Sequence, residues 1–426
     1  MSLRLLAVAS VAVLLTSPRA GAQDTSFVRA LRSNASTFSI QNGRLEGPAR
    51  AAFARLASEN DFLLVGEDHG FRELPEFVAA LFDVARPVGY EHLGVEVGPI
   101  TARRLDTMMR RPSALRDLDA FLGRYTPYTV PFFFWREEAG MLERVVKSVP
   151  ARDDAVWGLD QEFIMSPTYM LERLTEIAPT ASARALARHF AEASARGDKS
   201  MLTTGNPGAV WMVSAADSDV ASLRLAFAAS SRSEVGNIVD ELAASRDIYR
   251  LFNSGAGHES NQIRDDLMKR HFVDAYRAAQ ARGEKRPKAV VKLGANHIFR
   301  GPSITDTYEM GSFIPEFAIA NGVRSFGMLV VVKRGTTNAY RPFGSKEADK
   351  TQPYDVLVSE EYKVFDLKSV LESTPVDAWS FIDLRPVRAA ALDGKLKGLS
   401  ANARRLLLSF DGVVTVPEGH ASVYFR

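Results

Sequence analysis

FLLVGEDHG, residues 62–70, decides the fold. Four apolar side chains in a row, Phe62 to Val65, read as a strand buried on both faces, because a strand with one wet face would alternate apolar with polar. The run stops at Gly66, and Glu67, Asp68 and His69 follow at once. The same order of apolar run and polar stop recurs at 93–96, which ends in Glu96-Val97-Gly98-Pro99. It recurs at 155–159, followed by Asp160-Gln161-Glu162, and at 289–293, followed by Gly294-Ala295-Asn296-His297. A fifth run, 325–332, is long and apolar. Helical patterns lie between these strands. Residues 73–85 carry Leu74, Phe77, Leu81 and Phe82 at helical spacing. Residues 168–177 and 182–195 are rich in Ala, Leu and Arg, and 217–252 continues in that style. Residues 264–282 place Leu267, Met268, Phe272, Ala275, Tyr276 and Ala279 on one side. Strands alternating with helices predict an α/β fold with a mainly parallel central sheet flanked by helices.

The segment 166–261 holds helical patterns and no convincing strand, and reads as a helical insertion forming a wall or lid. The tail, 336–426, has Pro/Gly-rich loops and short strands at 380–382 and 412–416. It reads as the edge of the same domain, because no linker-like stretch precedes it. One domain over 23–426 is therefore expected.

Composition narrows the chemistry. The 426 residues are 46% hydrophobic and 24% charged, as in an ordinary globular chain, and contain no cysteine. Disulfides, thiolate metal sites and cysteine nucleophiles are excluded. The first residues, MSLRLLAVASVAVLLTSPRAGAQ, read as a secretory leader: Arg4 gives the positive start, 5–15 is apolar, and Ala20-Gly21-Ala22 is a small-residue cleavage site. Cleavage after Ala22 leaves 51 basic against 51 acidic residues, once Arg4 and Arg19 are gone. That balance argues against nucleic acid as a partner. No later run is long and apolar enough to span a membrane. A periplasmic or secreted protein acting on a small molecule is expected.

In open α/β sheets, ligands bind outside the carboxyl ends of the strands. Two histidines and at least three carboxylates should meet there: Glu67, His69, Glu96, Asp160 and His297, with Asn296 beside them. Singly, each has a plainer reading. Glu67 and His69 fit a surface turn, Asp160 fits a helix cap, and His297 fits a structural histidine. Glu96, at the end of an apolar run, is costly unless paired or used. It is the fourfold repetition that points to a site. A histidine takes a proton from water near neutral pH, a carboxylate fixes its tautomer, and a second histidine or Asn holds an oxyanion. The same set suits a divalent metal that activates water. His258 and Glu259 read as a polar loop that can reach substrate. Arg264 and Asp265 read as a helix start, with Arg264 a candidate for a ligand carboxylate or phosphate. Pro131-Phe132-Phe133-Phe134-Trp135 reads as core or as an apolar wall of the site. His92, His189 and His420 read as surface or core positions. No Gly-x-Ser-x-Gly elbow, phosphate loop or dinucleotide signature is present.

Taken in order, Gly66-Glu67-x-His69-Gly70 with Arg72-Glu73, Glu96, Gly158-Leu159-Asp160, Ile263-Arg264-Asp265-Asp266-Leu267-Met268, Gly294-Ala295-Asn296-His297-Ile298, Met310-Gly311 and Phe410-Asp411-Gly412-Val413-Val414 resemble the erythromycin esterase-like family over about 40–420. The wider superfamily includes ChaN-type haem-uptake proteins and Tiki-type metalloproteases. The resemblance implies a hydrolytic site in which His69 is general base on water, Glu67 and Glu96 are the paired glutamates, His297 is the late histidine and Arg264 the helix-start arginine. Those esterases usually place two residues between the first glutamate and histidine. Only Asp68 intervenes here, a spacing closer to the ChaN-type branch.

The reading is thus an exported hydrolase of an ester or related acyl bond, needing no cofactor. His69, Glu67, Glu96 and His297 are catalytic, and Arg264, His258, Asp160 and Asn296 bind substrate. The alternatives are a Zn- or Mn-dependent hydrolase with Glu67, His69, Glu96 and His297 as ligands, and a non-enzymatic binder of haem or another flat ligand.

Overall fold

A computed structural model describes residues 25–150, 154–227, 233–338 and 351–425. The expected leader, 1–22, and its cleavage point lie outside the described residues. The strands are β1 (Ala35–Gln41), β2 (Arg44–Glu46), β3 (Phe62–Glu67), β4 (Tyr90–Val95), β5 (Val156–Gly158), β6 (Lys288–Gly294), β7 (Ser325–Val332), β8 (Arg334–Asn338), β9 (Thr351–Asp355), β10 (Trp379–Asp383) and β11 (Gly412–Val416). Nine of them form one sheet in the order β2-β1-β10-β11-β7-β3-β6-β4-β5. The run from β11 to β5 is parallel, and β1, β2 and β10 pair antiparallel at the other edge. This is the expected α/β architecture with a mainly parallel sheet.

Pleating explains why the central strands are apolar throughout. Leu63 and Val65 of β3 pack into one core, with helices Ala49–Glu59, Glu73–Ala85 and Arg136–Ser148. Phe62 and Leu64 pack into the other, with helices Ser26–Ser33, Gly257–Ala281 and Met310–Ala320. Alternate side chains point to opposite faces and both faces are covered, so no position is left for a wet residue. Among the described residues, no helix is long and apolar enough to cross a membrane.

Three details depart from the sequence reading. Residues 217–252 hold two helices, Asp217–Ala226 and Glu234–Asn253, rather than one continuous pattern. The helix expected from 264 begins at Gly257, so His258 and Glu259 form its first turn and are no loop. Arg264 and Asp265 consequently lie two turns inside that helix, and the dipole argument for Asp265 falls away. The β1–β2 hairpin has a local signal that apolar runs do not reveal. Asn42-Gly43 sits between two short strands with positive φ at both residues (50° and 72°), as a tight hairpin turn requires. β10 and β11, from the tail, lie inside the nine-stranded sheet between β1 and β7.

Candidate active site at the strand ends

Parallel register brings the four polar strand ends together. Glu67 is opposite Gly294 on the β3–β6 ladder, and Val95 is opposite both Lys292 and Gly158. Glu96 therefore emerges between β6 and β5, beside Asp160. Its Oε2 accepts a hydrogen bond from the Gly294 N–H at 2.7 Å and faces His69 Nε2 at 3.5 Å. Its Oε1 faces His297 Nε2 at 3.4 Å and accepts from Arg264 Nη2 at 3.2 Å. One carboxylate thus stands among two imidazoles and a guanidinium. Burial works against its charge, but His297 and His69 hold it well below the usual carboxylate range.

The outer nitrogens of both rings are also occupied. His69 Nδ1 is 3.2 Å from Glu67 Oε1, and His297 Nδ1 is 2.8 Å from Glu309 Oε2. Burial opposes the charged form of each ring. The flanking carboxylates outweigh it, Glu67 and Glu96 for His69, Glu96 and Glu309 for His297, and each is pushed up to about 10. Glu309 is lowered to about 2: burial opposes its charge, and His297 and Thr307 favour it. The His69 side chain is 23% exposed and that of His297 only 9%. Water therefore has readier access to His69. The two Nε2–Glu96 contacts are long for hydrogen bonds, which leaves both N–H groups with bonding capacity toward the same space.

Arg264 reaches the cluster from a half-buried turn of helix Gly257–Ala281. Its Nε and Nη2 donate to the two oxygens of Asp160 at 2.8 and 2.5 Å, a bidentate pair that aims the remaining contact at Glu96. Asp160 therefore orients Arg264 rather than capping a helix. Asn296 is half-buried, and its Oδ1 accepts from the Ile304 N–H at 3.2 Å, bracing the loop that carries Glu309. His258 is exposed and faces the Thr305 carbonyl at 3.4 Å, rather than the Glu96 cluster. Glu162 binds the N–H groups of Ile100 and Thr101, at the start of helix Pro99–Met109, and so serves as a cap. The aromatic run divides. Phe133 and Trp135 are core, while the Phe132 ring lies 4.1 Å from the ring of His69, on a residue with φ of 65°. A bulky side chain at positive φ is strained, and its ring braces His69.

Sequence reading assigned no role to Glu309, which holds His297, nor to Lys292, Glu138, Asp68 and Glu361. Lys292, in the middle of β6, is buried and donates to Glu67 at 2.5 Å and to Glu138 at 2.8 Å. A lysine inside an apolar strand was the visible signal; Glu138 carried none. Burial pushes the Glu138 carboxyl up to about 7 despite Lys292. Asp68 accepts from the hydroxyls of Tyr354 and Tyr362, on a strap formed by the β8–β9 hairpin and the turn after it. Glu361, from the same strap, lies against Asp68 and is pushed up to about 8 by burial and by that neighbour. Gly70 makes the strap possible: its φ is 89°, and a Cβ there would sit 2.2 Å from the Asn338 carbonyl oxygen.

No protein-family model matches the chain, and no curated protein matches it in sequence. Solved structures are similar to it. A mutant of the erythromycin esterase EreC in its open conformation, with a histidine replaced by asparagine, superposes with a TM-score of 0.62 at 15% identity, covering 92% of this chain and 99% of that one. A succinoglycan biosynthesis protein gives 0.59 at 14% identity, over 94% of this chain and 98% of the other. A protein from Bacillus cereus gives 0.56 at 14% identity, over 93% and 98%. At such identities the likeness bears on architecture, and at that level the resemblance drawn from the ordered motifs holds: the chain has the erythromycin esterase-like fold.

Proposed function

We propose that the chain is an exported hydrolase that cleaves an ester or related acyl bond of a small molecule with water. The observation that carries this reading is the sharing of Glu96 by His69 and His297, with His69 the more open to solvent. When His69 is neutral, Glu67 keeps the proton on Nδ1 and leaves the Nε2 lone pair toward the Glu96 side, where a water can be deprotonated. His297 and Arg264, held cationic by Glu309, Glu96 and Asp160, supply positive charge for the developing oxyanion. Phe132 is an apolar wall beside the reacting atoms. No cofactor enters this scheme. Export rests on the apolar stretch and Ala20-Gly21-Ala22 site of the leader, and the periplasm or the medium is the proposed destination.

The test is an ester panel on the untagged chain from Gln23, with metal content and visible spectrum taken first. His69→Ala should lose roughly 10²–10⁴-fold in kcat/KM, the usual worth of a general base. It should keep its fold, because a partly exposed side chain at a strand end carries little packing. A folded His69→Ala protein with unchanged turnover overturns the mechanism. Loss of activity on chelation and its return with Zn or Mn would instead assign Glu67, His69, Glu96 and His297 as metal ligands. A haem band without turnover would make the chain a binder.

A further inference from the structure

The opposite edge of the sheet carries a second cluster that the hydrolytic reading does not use. His92 lies near the start of β4, Asp154 two residues before β5, and Glu284 four residues before β6, so all three gather at the N-terminal strand ends. One ligand atom from each lies within 4.8 Å of the others. His92 is fully buried, and its ring is stacked on Trp157 at 4.5 Å, which fixes its plane. Its Nδ1 is 2.9 Å from the Asp154 carbonyl oxygen. A carbonyl only accepts, so Nδ1 carries the hydrogen. Nε2 faces Glu284 Oε2 at 2.9 Å. A carboxylate oxygen only accepts, so at this distance either a proton on Nε2 or a cation lies between the two atoms. A histidine that donates one ring N–H to a backbone carbonyl and offers the other nitrogen to a shared centre has the arrangement usual for metal ligands.

We propose that His92, Asp154 and Glu284 form a divalent-cation site, taking a first-row transition ion such as zinc through one imidazole and two carboxylates. This donor set leaves at least one position for water. A cavity of about 310 Å³ reaches Asp154, with Trp157, Arg282 and Asp274 also in its lining. Arg282 pairs with Asp154, so the ion competes with a guanidinium for that carboxylate. Once bound, it fastens β5, a three-residue strand at the sheet edge, to β4 and to the chain leaving helix Gly257–Ala281. Its role is structural and independent of the hydrolytic site.

The experiment is calorimetric titration of the untagged chain with zinc alone, with a thermal melt before and after. Wild type should take up one equivalent and melt at a higher temperature. Glu284→Gln and Asp154→Asn, both partly exposed and tolerant of the change, should each weaken that uptake by at least about tenfold, since a lost ligand costs no less than a lost outer-shell partner. His69→Ala should keep it. Absence of zinc uptake, uptake undiminished in both carboxylate variants, or uptake lost in His69→Ala would overturn the site.

Discussion

His69 and His297 stand on either side of one carboxylate, and each is pushed up to about 10. A histidine whose folded value lies above its ordinary 6.5 stabilises the fold fully below 6.5 and loses that contribution as pH rises toward 10. Glu96 has the opposite sign: its contribution is present above the usual carboxylate range and is lost on acidification. Unfolding free energy should therefore fall between pH 7 and 10 by on the order of a few kcal/mol, and Glu96→Gln should flatten that fall. Denaturant titrations at stepped pH measure it, and a slope equal in wild type and variant would refute the coupling. Function follows the same sign. Both rings are imidazolium at neutral pH in the free protein, so kcat/KM should climb with pH toward 10 as His69 releases its proton. A flat profile across pH 7 to 10 would remove His69 as the base.

Helix Met310–Ala320 approaches the turn after β6 most closely at Gly311. A Cβ on Gly311 would sit 1.8 Å from the Ile298 carbonyl oxygen, next in sequence to His297. Backbone cannot give way as a flexible side-chain end can, so the turn itself must move. Gly311→Ala should cost about 1–3 kcal/mol by overpacking. It should also cut activity more than that loss of stability explains, because the shift carries His297 away from Glu96. Urea midpoints and kcat measured together check this; a variant with lower stability and full kcat would separate the helix from the site. The strap that clamps the Glu67–Gly70 turn works by the same contact logic, since Gly70 admits the Asn338 carbonyl where a side chain would block it.

Across the molecule, the tail and the N-terminus share one sheet. β10 and β11 fill the space between β1 and β7, so the β1–β2 hairpin reaches the parallel strands only through the last hundred residues. A chain ending after residue 333 leaves β7 as an open, apolar edge, with Val330 and Val332 stripped of their neighbours, and leaves the hairpin without a partner. It should be recovered as aggregate. A soluble fragment with native-like circular dichroism and a cooperative melt would instead show the tail to be a separable unit.

Local signals were sufficient for the parallel strands. Runs of apolar residues at 62–65, 289–293 and 325–332 can only be buried on both faces, and the polar residues that end the runs near Glu67, Glu96, Asp160 and His297 mark the carboxyl edge of the sheet. Those facts are carried by neighbours in the chain. The ion pairs are not. Lys292 finds Glu138 more than 150 residues away, and Asp68 finds Tyr354 and Tyr362 nearly 300 residues away. The start of the helix at Gly257, which takes His258 from loop to helix and away from Glu96, likewise depends on packing against helix Glu234–Asn253. Whether a histidine is a base or a held cation depends on the few ångströms to its carboxylates and on how much water reaches it. Chain order specifies neither quantity, and only the packed structure set them.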